Sequence, residues 1–148
     1  MNATVSSGPA ATPWHLWAVG ILSLCWNAFG AYDYVMTVTH DASYLAGMPP
    51  AATAIVDAFP AWAVGAWAIG VWVSLLGALL LLIRSRHAAT AFLVSLAGAL
   101  VSYAYQATTG LPAAMGGGSY WMMPAIIVIA IVAQWYYANR MKEAGVLR

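Results

Sequence analysis

Charged residues are scarce in this chain of 148 residues. Only 6% of its residues are Asp, Glu, Lys or Arg and 64% are hydrophobic, whereas an ordinary soluble domain has about 25% charged residues. The net charge is +1, which excludes the broad basic surface that binds nucleic acid. The composition therefore predicts an integral membrane protein whose surroundings are membrane lipids, with no nucleic acid among its partners.

Other absences narrow the possible functions. Cys25 is the single cysteine, so there is no disulfide framework, and its apolar setting predicts a small buried residue. The sequence contains no motif of a serine hydrolase, a zinc protease or a P-loop enzyme. His15, His40 and His87 fall at different predicted helix ends, and the single Lys142 lies outside the apolar runs. We therefore expect no enzymatic activity, no cofactor and no metal site.

Long apolar runs define the fold class. Residues 58–83 and 88–139 contain no charged residue and no histidine, and about 20 apolar residues cross a hydrocarbon core of about 30 Å. Together with an apolar segment near the amino terminus, they predict an all-α integral membrane bundle of four transmembrane helices. The predicted helices cover about residues 14–39, 61–83, 88–108 and 121–139. One membrane domain, residues 13–145, would follow a flexible cytoplasmic tail (1–12) and precede a short tail (146–148).

Proline and glycine mark the predicted helix ends. Thr12 and Pro13 are typical of an N-cap and a first helical position. Pro49 and Pro50 interrupt the segment between the first two membrane helices, which favours two short helical pieces on either side of them. Gly145 is expected to end the fourth helix.

The basic residues predict the orientation. They follow the second and fourth helices and are missing from the other connections: Arg84, Arg86, Arg140, Lys142 and Arg148. Because cytoplasmic loops are enriched in Lys and Arg, we expect a multi-pass protein of the bacterial inner membrane with both termini in the cytoplasm.

Small residues at helical spacing predict the contact faces of the helices, since such residues let backbones approach closely in lipid. The first helix has Gly20, Ser23, Asn27, Gly30 or Ala31, and Tyr34. The third helix has Ala91, Ser95, Gly98 and Ser102, and the second has Gly70 and Gly77.

Two polar residues of the first helix are candidates for function. Asn27 lies on the small-residue stripe, where it could bond to a neighbouring helix or contact a substrate. Asp33 lies about 9 Å of helix rise below the predicted helix end, and an ionisable group at that depth indicates a functional site. A metal site shared with His40 is disfavoured, because about 10.5 Å of rise separates the two.

Two interpretations of Asp33 remain open. It could be a partly hydrated or protonated acid that is bonded to a neighbouring polar side chain, for which the candidates are Tyr34, Tyr103, Tyr105 and Gln106. It could also be a solute-binding or proton-coupled acid in a cavity on the outer side.

The segments "WNAFGAYDYVM", "FPAWAVGAWAIGVW" and "GALLLLIRSRHAATAFLVSLAG" resemble a family of small, largely uncharacterised bacterial four-helix inner-membrane proteins, some of which are labelled sugar transporters. The matching positions are Trp26, Asn27, Gly30, Met36, Pro60, Trp62, Gly77 and Arg84. Asp33 departs from the family pattern. The resemblance implies the four-helix fold and the bacterial inner membrane.

These features lead to two functional hypotheses. The first is a protein that binds or transports a small polar, sugar-like solute, with a site formed by Asn27, Asp33, Tyr103, Tyr105 and Gln106. Since four helices enclose little space, transport would require a homo-oligomer. The alternative is a non-catalytic accessory or structural subunit of a larger membrane complex.

Overall fold

The computed structural model describes residues 11–148, and the protein is all-α in this range. The predicted tail 1–12 therefore lies almost entirely outside the described residues. The described helices of the protein are α1 Trp14–Val38, α2 Ala42–Leu45, α3 Pro50–Asp57, α4 Ala61–Leu82, α5 Ala88–Ala107, α6 Leu111–Ala114, a 3-10 helix Gly117–Trp121 and α7 Met122–Glu143.

Three of the long helices are long and apolar enough to span a membrane: α4, α5 and the continuous segment Gly117–Glu143, which contains α7. α1 has 25 residues and is not one of them, because His15, Asn27 and Asp33 lower its hydropathy. Of the four predicted membrane spans, three are thus confirmed as helices long and apolar enough to cross a membrane, and they pack together. The prediction that α1 is a fourth span is taken up under Proposed function.

Helix ends follow local backbone rules. Residues in the left-handed region end three of the long helices: His40 (φ 57°) after α1, Arg84 (φ 61°) after α4 and Gly145 (φ 71°) after α7. The prediction that Thr12 caps α1 is wrong. Pro13 is the N-cap, and the Thr12 hydroxyl instead accepts a hydrogen bond from the Arg84 guanidinium.

The long helices pack in sequence, α1 on α4, α4 on α5 and α5 on α7. The predicted small-residue stripes are buried except at Tyr34, which is partly buried, and Gly70 and Gly77 of α4 are buried as well. Gly98 is held so close to α4 that a Cβ atom would lie 2.8 Å from the Gly70 nitrogen. Ser95 adds a hydrogen bond of 2.6 Å from its hydroxyl to the Gly70 carbonyl. Small residues thus set the α4–α5 distance.

Cys25 lies on the exposed face of α1, so the prediction of a small buried residue is wrong. Its neighbours Ile21, Leu22 and Phe29 are exposed as well. In a helix that is apolar on all sides, composition does not distinguish the packed face from the outward face.

One end of the bundle contains the described chain ends and the α4–α5 turn, and we call it the termini end. Its core is a cluster of Leu16, Ala78, Leu81, Ala88, Ala89, Phe92, Ala138, Val146 and Leu147. Arg148 returns to the turn, with its N–H bonded to the Arg84 carbonyl and its carbonyl accepting from the Arg86 N–H, both at 2.8 Å. Of the predicted tail, residues 146–148, Val146 and Leu147 therefore belong to this core, and Arg148 is bonded through its backbone to the α4–α5 turn.

The opposite end, the loop end, contains α2, α3, α6 and the 3-10 helix. The predicted short helical pieces on either side of Pro49 and Pro50 are confirmed as α2 and α3. His40 Nε2 lies 2.8 Å from Asp57 Oδ1, which joins the end of α1 to the end of α3. These segments form the rim of the site described next.

Candidate functional site: a cavity at the loop end

A cavity of about 530 Å³ lies among α1, α4, α5 and α7 at the loop end. Along α1 its lining runs from Trp26 to Thr37, which is about 16 Å of helix rise. Met48, Val56 and Leu111 from the connecting segments also contribute to its wall. The cavity thus occupies roughly half the length of the bundle.

The floor of the cavity is closed by a polar contact between helices. Asn27, which is buried, donates hydrogen bonds from Nδ2 to Gln134 Oε1 at 2.9 Å and to the Ser74 carbonyl at 3.3 Å. The amide thereby joins α1 to both α7 and α4. The predicted interhelical bond of Asn27 is thus present, and the residue also lines the cavity.

Asp33 lies higher on the wall and accepts a hydrogen bond on Oδ1 from the Tyr44 hydroxyl. None of the four partners expected from the sequence makes this bond. Tyr44 belongs to α2, and partial burial together with the Asp33 bond raises the pKa of its hydroxyl. The phenol therefore stays protonated and remains a donor to Asp33.

Asp41 fixes α2 in the position that this contact requires. Its carboxylate caps the helix, accepting from the Ser43 hydroxyl at 2.5 Å and from the Tyr44 N–H at 2.9 Å. These bonds lower the pKa of Asp41, so its carboxylate form, and with it the cap, persists to lower pH than usual. A side-chain oxygen before a short helix is the usual N-cap arrangement.

Gln106 forms the second polar group of the wall. Its Oε1 accepts from the Tyr120 hydroxyl, and its Nε2 donates to the Ser102 hydroxyl at 3.0 Å. Tyr103, Ser119 and Tyr120 also line the cavity. α5 and the 3-10 helix therefore present hydroxyl and amide groups opposite the acid of α1.

Thr37 is the one residue with an unsatisfied group among the buried side chains that the structure describes. It is 4% exposed, lines the cavity, and its hydroxyl oxygen has no hydrogen-bond partner. Leaving a buried hydroxyl unpaired costs about 1–3 kcal/mol. A vacant hydrogen-bonding position thus lies one helical turn beyond Asp33.

Most of the wall is apolar. Trp26, Phe29, Phe59, Trp67, Val71, Met123 and Ile127 are among its residues. Asp33 is the one Asp, Glu, Lys, Arg or His among the described lining residues. The arrangement is a mostly apolar cavity with polar groups at its rim and at its floor, where Asn27 and Ser74 lie.

The cavity reaches the surface of the bundle between α1 and α7. Both helices are fully described, and they lack the extended packing seen between the other neighbouring helices. Trp26, Phe29 and Met123 line the cavity and are also 38%, 65% and 54% exposed. Residues that are both lining and exposed mark an opening at the side of the bundle.

The structure brings together four of the five predicted site residues: Asn27, Asp33, Tyr103 and Gln106 all line the cavity. Tyr105 is not part of the lining and instead packs edge-on against Phe59 and Trp62, at centroid distances of 5.1 and 5.0 Å. On α5, Tyr105 is one residue from Gln106 and two from Tyr103, so its side chain points away from theirs.

Sequence reasoning missed Tyr44, Tyr120 and Gln134 as site residues. Thr37 follows Asp33 by four residues, and this helical spacing predicts that the two share one face of α1. Tyr44 and Tyr120 come from connecting segments, whose direction is not set by helical periodicity. Among the described residues, no group of three or more His, Cys, Asp or Glu could hold a metal ion.

Comparisons of the chain with protein-family models, with curated proteins and with solved structures found no match. The function is therefore argued from the cavity itself.

Proposed function

We propose that α1 is a fourth membrane span and that the protein is a multi-pass protein of the bacterial inner membrane, with both termini in the cytoplasm. The length of α1, 25 residues, corresponds to about 38 Å, more than the hydrocarbon thickness. Ile21, Leu22 and Phe29 give it an exposed apolar face. All five basic residues are at the termini end, whereas Asp41 and Asp57 are at the loop end, in agreement with the positive-inside rule.

Within this frame, we propose that the protein binds a small molecule with hydrogen-bonding groups in the loop-end cavity, from the side facing away from the cytoplasm. The unpaired, buried hydroxyl of Thr37, one turn from Asp33, is the observation that supports this proposal. A ligand that supplies the missing partner would recover the cost of that unpaired group. A sugar-like solute would find such partners near the rim and at Asn27 and Ser74 on the floor, with a mostly apolar wall between them.

Transport remains a further prediction. Below the cavity, the Asn27–Gln134 bond and the core cluster around Phe92 close the bundle. A solute could pass only if α1 and α7 separated there. Binding requires no such movement, and it is the function that the geometry supports best.

Accessibility of single cysteines tests the cavity. In a Cys25→Ala background, Asp33→Cys and Gln106→Cys should react in intact membranes with a water-soluble, membrane-impermeant thiol reagent added from the outer side. Leu22→Cys is the matched control on the lipid-facing side of the same helix and should not react. Ser43→Cys at the exposed rim should react fully. Absence of reaction at both 33 and 106 would remove the binding proposal.

The alternative, an accessory subunit, has one structural observation in its favour. The opening between α1 and α7 exposes Trp26 and Phe29, and a helix of a second copy or of a larger complex could cover it. In that case a cysteine at position 29 would crosslink to another chain in native membranes, and the mass in mild detergent would exceed that of one 15.6 kDa chain. The resemblance to the bacterial family is compatible with either function.

A further inference from the structure

We infer that the ligand of this cavity is a monocationic amphiphile, with an amine or ammonium head beside Asp33 and an apolar body in the cleft between α1 and α7. The inference rests on the proposed binding function and names the class of molecule that the site would take.

Charge is the first argument. Asp33 is the one described lining residue with a formal charge, and no Lys, Arg or His is among the residues of the wall. Tyr44 bonds to only one of its carboxylate oxygens; within the described chain the other oxygen has no hydrogen-bond partner. A positive partner stabilises the carboxylate form of an acid in an apolar wall. A cationic head is the partner that the protein itself does not provide.

The same absence argues against anionic and zwitterionic ligands. A phosphate or sulfate group in this cavity would meet Asp33 with no basic side chain to balance the repulsion. Phospholipids, whose ammonium heads are attached to a phosphate, are therefore disfavoured. The site is suited to a single positive charge.

The walls supply the second argument. Trp26, Phe29, Asp33 and Thr37 follow one another at spacings of three or four residues, so they share one face of α1. Aromatic rings thus continue along the same face below the acid, and Trp67 adds another ring from α4. Aromatic faces attract cations as well as apolar groups. An amphiphile would place its head at the polar rim and its body along these rings.

The side opening is the third argument. A ligand that reaches the site between α1 and α7 passes Phe29 and Met123, which are exposed on the bundle surface. An amphiphile dissolved in the outer leaflet would approach along this path with its head already near the interface. A fully polar solute would have no reason to use an apolar side opening.

Equilibrium dialysis against the protein in nanodiscs of phosphatidylcholine, a lipid with no net charge, tests the inference. Three probes share one alkyl chain and differ in the head: decylammonium, 1-decanol and decyl sulfate. Protein-free nanodiscs provide the partition baseline for each. We expect binding above this baseline for the ammonium, about tenfold stronger than for the alcohol, and none for the sulfate.

Variants locate the binding. Asp33→Asn should weaken ammonium binding about tenfold and leave alcohol binding unchanged. Asp57→Asn is the matched control, because Asp57 is an acid at the same end of the bundle that contacts His40 instead of the cavity, and it should bind like the original protein. Asp33→Glu retains the carboxyl group and should still bind the ammonium probe more strongly than the alcohol. This variant keeps the inference testable if Asp33→Asn does not fold.

The outcomes separate the two proposals. Equal binding of the three probes, or ammonium binding that survives Asp33→Asn, would overturn the cationic ligand. If the cysteines at 33 and 106 still react with the water-soluble reagent, the proposed binding function stands even though the ligand is not a cation. If neither cysteine reacts, the binding function and the cationic ligand are both overturned.

Discussion

The two halves of the bundle use the same four long helices in different ways. At the termini end, α1 and α7 come together: His15 Nδ1 lies 2.5 Å from the Tyr137 hydroxyl, and Leu16 and Ala138 are fully buried in one cluster. At the loop end the same two helices are apart, and a cavity of about 530 Å³ takes the place of packed side chains. The Asn27–Gln134 bond marks the boundary.

The difference follows from what fills the space between the helices. Phe92 is fully buried at the termini end, and its ring lies against Gly77, where a Cβ atom would be 2.9 Å from the ring. No comparable side chain fills the loop-end half, where Gly70, Ser102 and Ala99 face the cavity. Because lipid offers no hydrophobic driving force between helices, a filled half provides stability and an unfilled half provides a binding site. Variants in each half should therefore have different effects.

Phe92→Ala should have the largest effect on stability. Removing a buried phenylalanine costs about 3–5 kcal/mol in water-soluble cores, and we expect the lower end, about 3 kcal/mol, because lipid is as apolar as the core. The free energy of unfolding, measured by titrating dodecyl sulfate into mixed micelles, checks this. Leu93→Ala, at the neighbouring position that is 50% exposed, should change it little. Equal losses for the two variants would contradict a packed termini end.

Gly98→Ala tests the close α4–α5 contact beside the cavity, in the loop-end half. The added Cβ would lie 2.8 Å from the Gly70 nitrogen and 2.9 Å from the Ala66 carbonyl oxygen, so α4 and α5 must move apart at a cost of about 1–3 kcal/mol. Gly65→Ala is the matched control on α4, since nothing lies within 4 Å of its Cβ position. The same unfolding titration should show a loss for the first variant alone. A loss confined to Gly65→Ala would show that the helices pack by another face.

Asn27→Ala tests the boundary between the halves. Interhelical hydrogen bonds in membranes contribute about 0.6 kcal/mol on average and up to about 1.7, so we expect a loss in that range. A double-mutant cycle with Gln134→Ala isolates the side-chain bond from other effects of each change. Losses that add fully, with no coupling energy, would show that the two amides do not depend on each other.

Much of the fold could be predicted from the sequence, because its determinants are local. The apolar runs predicted the long helices, and Pro49 and Pro50 predicted the break between α2 and α3. Gly70 and Gly98 predicted the contact face between α4 and α5. Exposure of Cys25 could not be predicted, since both faces of a helix in lipid are apolar.

The candidate site was less predictable than the fold. Asn27, Asp33, Tyr103 and Gln106 were found because polar groups are rare in apolar helices. The partners of these residues were missed for a different reason. Tyr44 and Tyr120 contact Asp33 and Gln106 from short segments between the long helices. The path of such segments depends on three-dimensional packing and is not indicated by helical periodicity in the sequence.

Thr37→Val should have the smallest effect on the free energy of unfolding, and the sign of this change tests whether the hydroxyl is unpaired. Valine has nearly the same shape without the hydroxyl, and a buried hydroxyl with no partner contributes no hydrogen bond to the folded state. We expect the free energy of unfolding without ligand to stay unchanged or to rise by up to about 1 kcal/mol. Binding of decylammonium, whose N–H groups can donate to the Thr37 hydroxyl oxygen, should weaken. A clear loss of stability without ligand would mean that the hydroxyl already has a partner in the protein, and the main support for a binding site at the loop end would be lost.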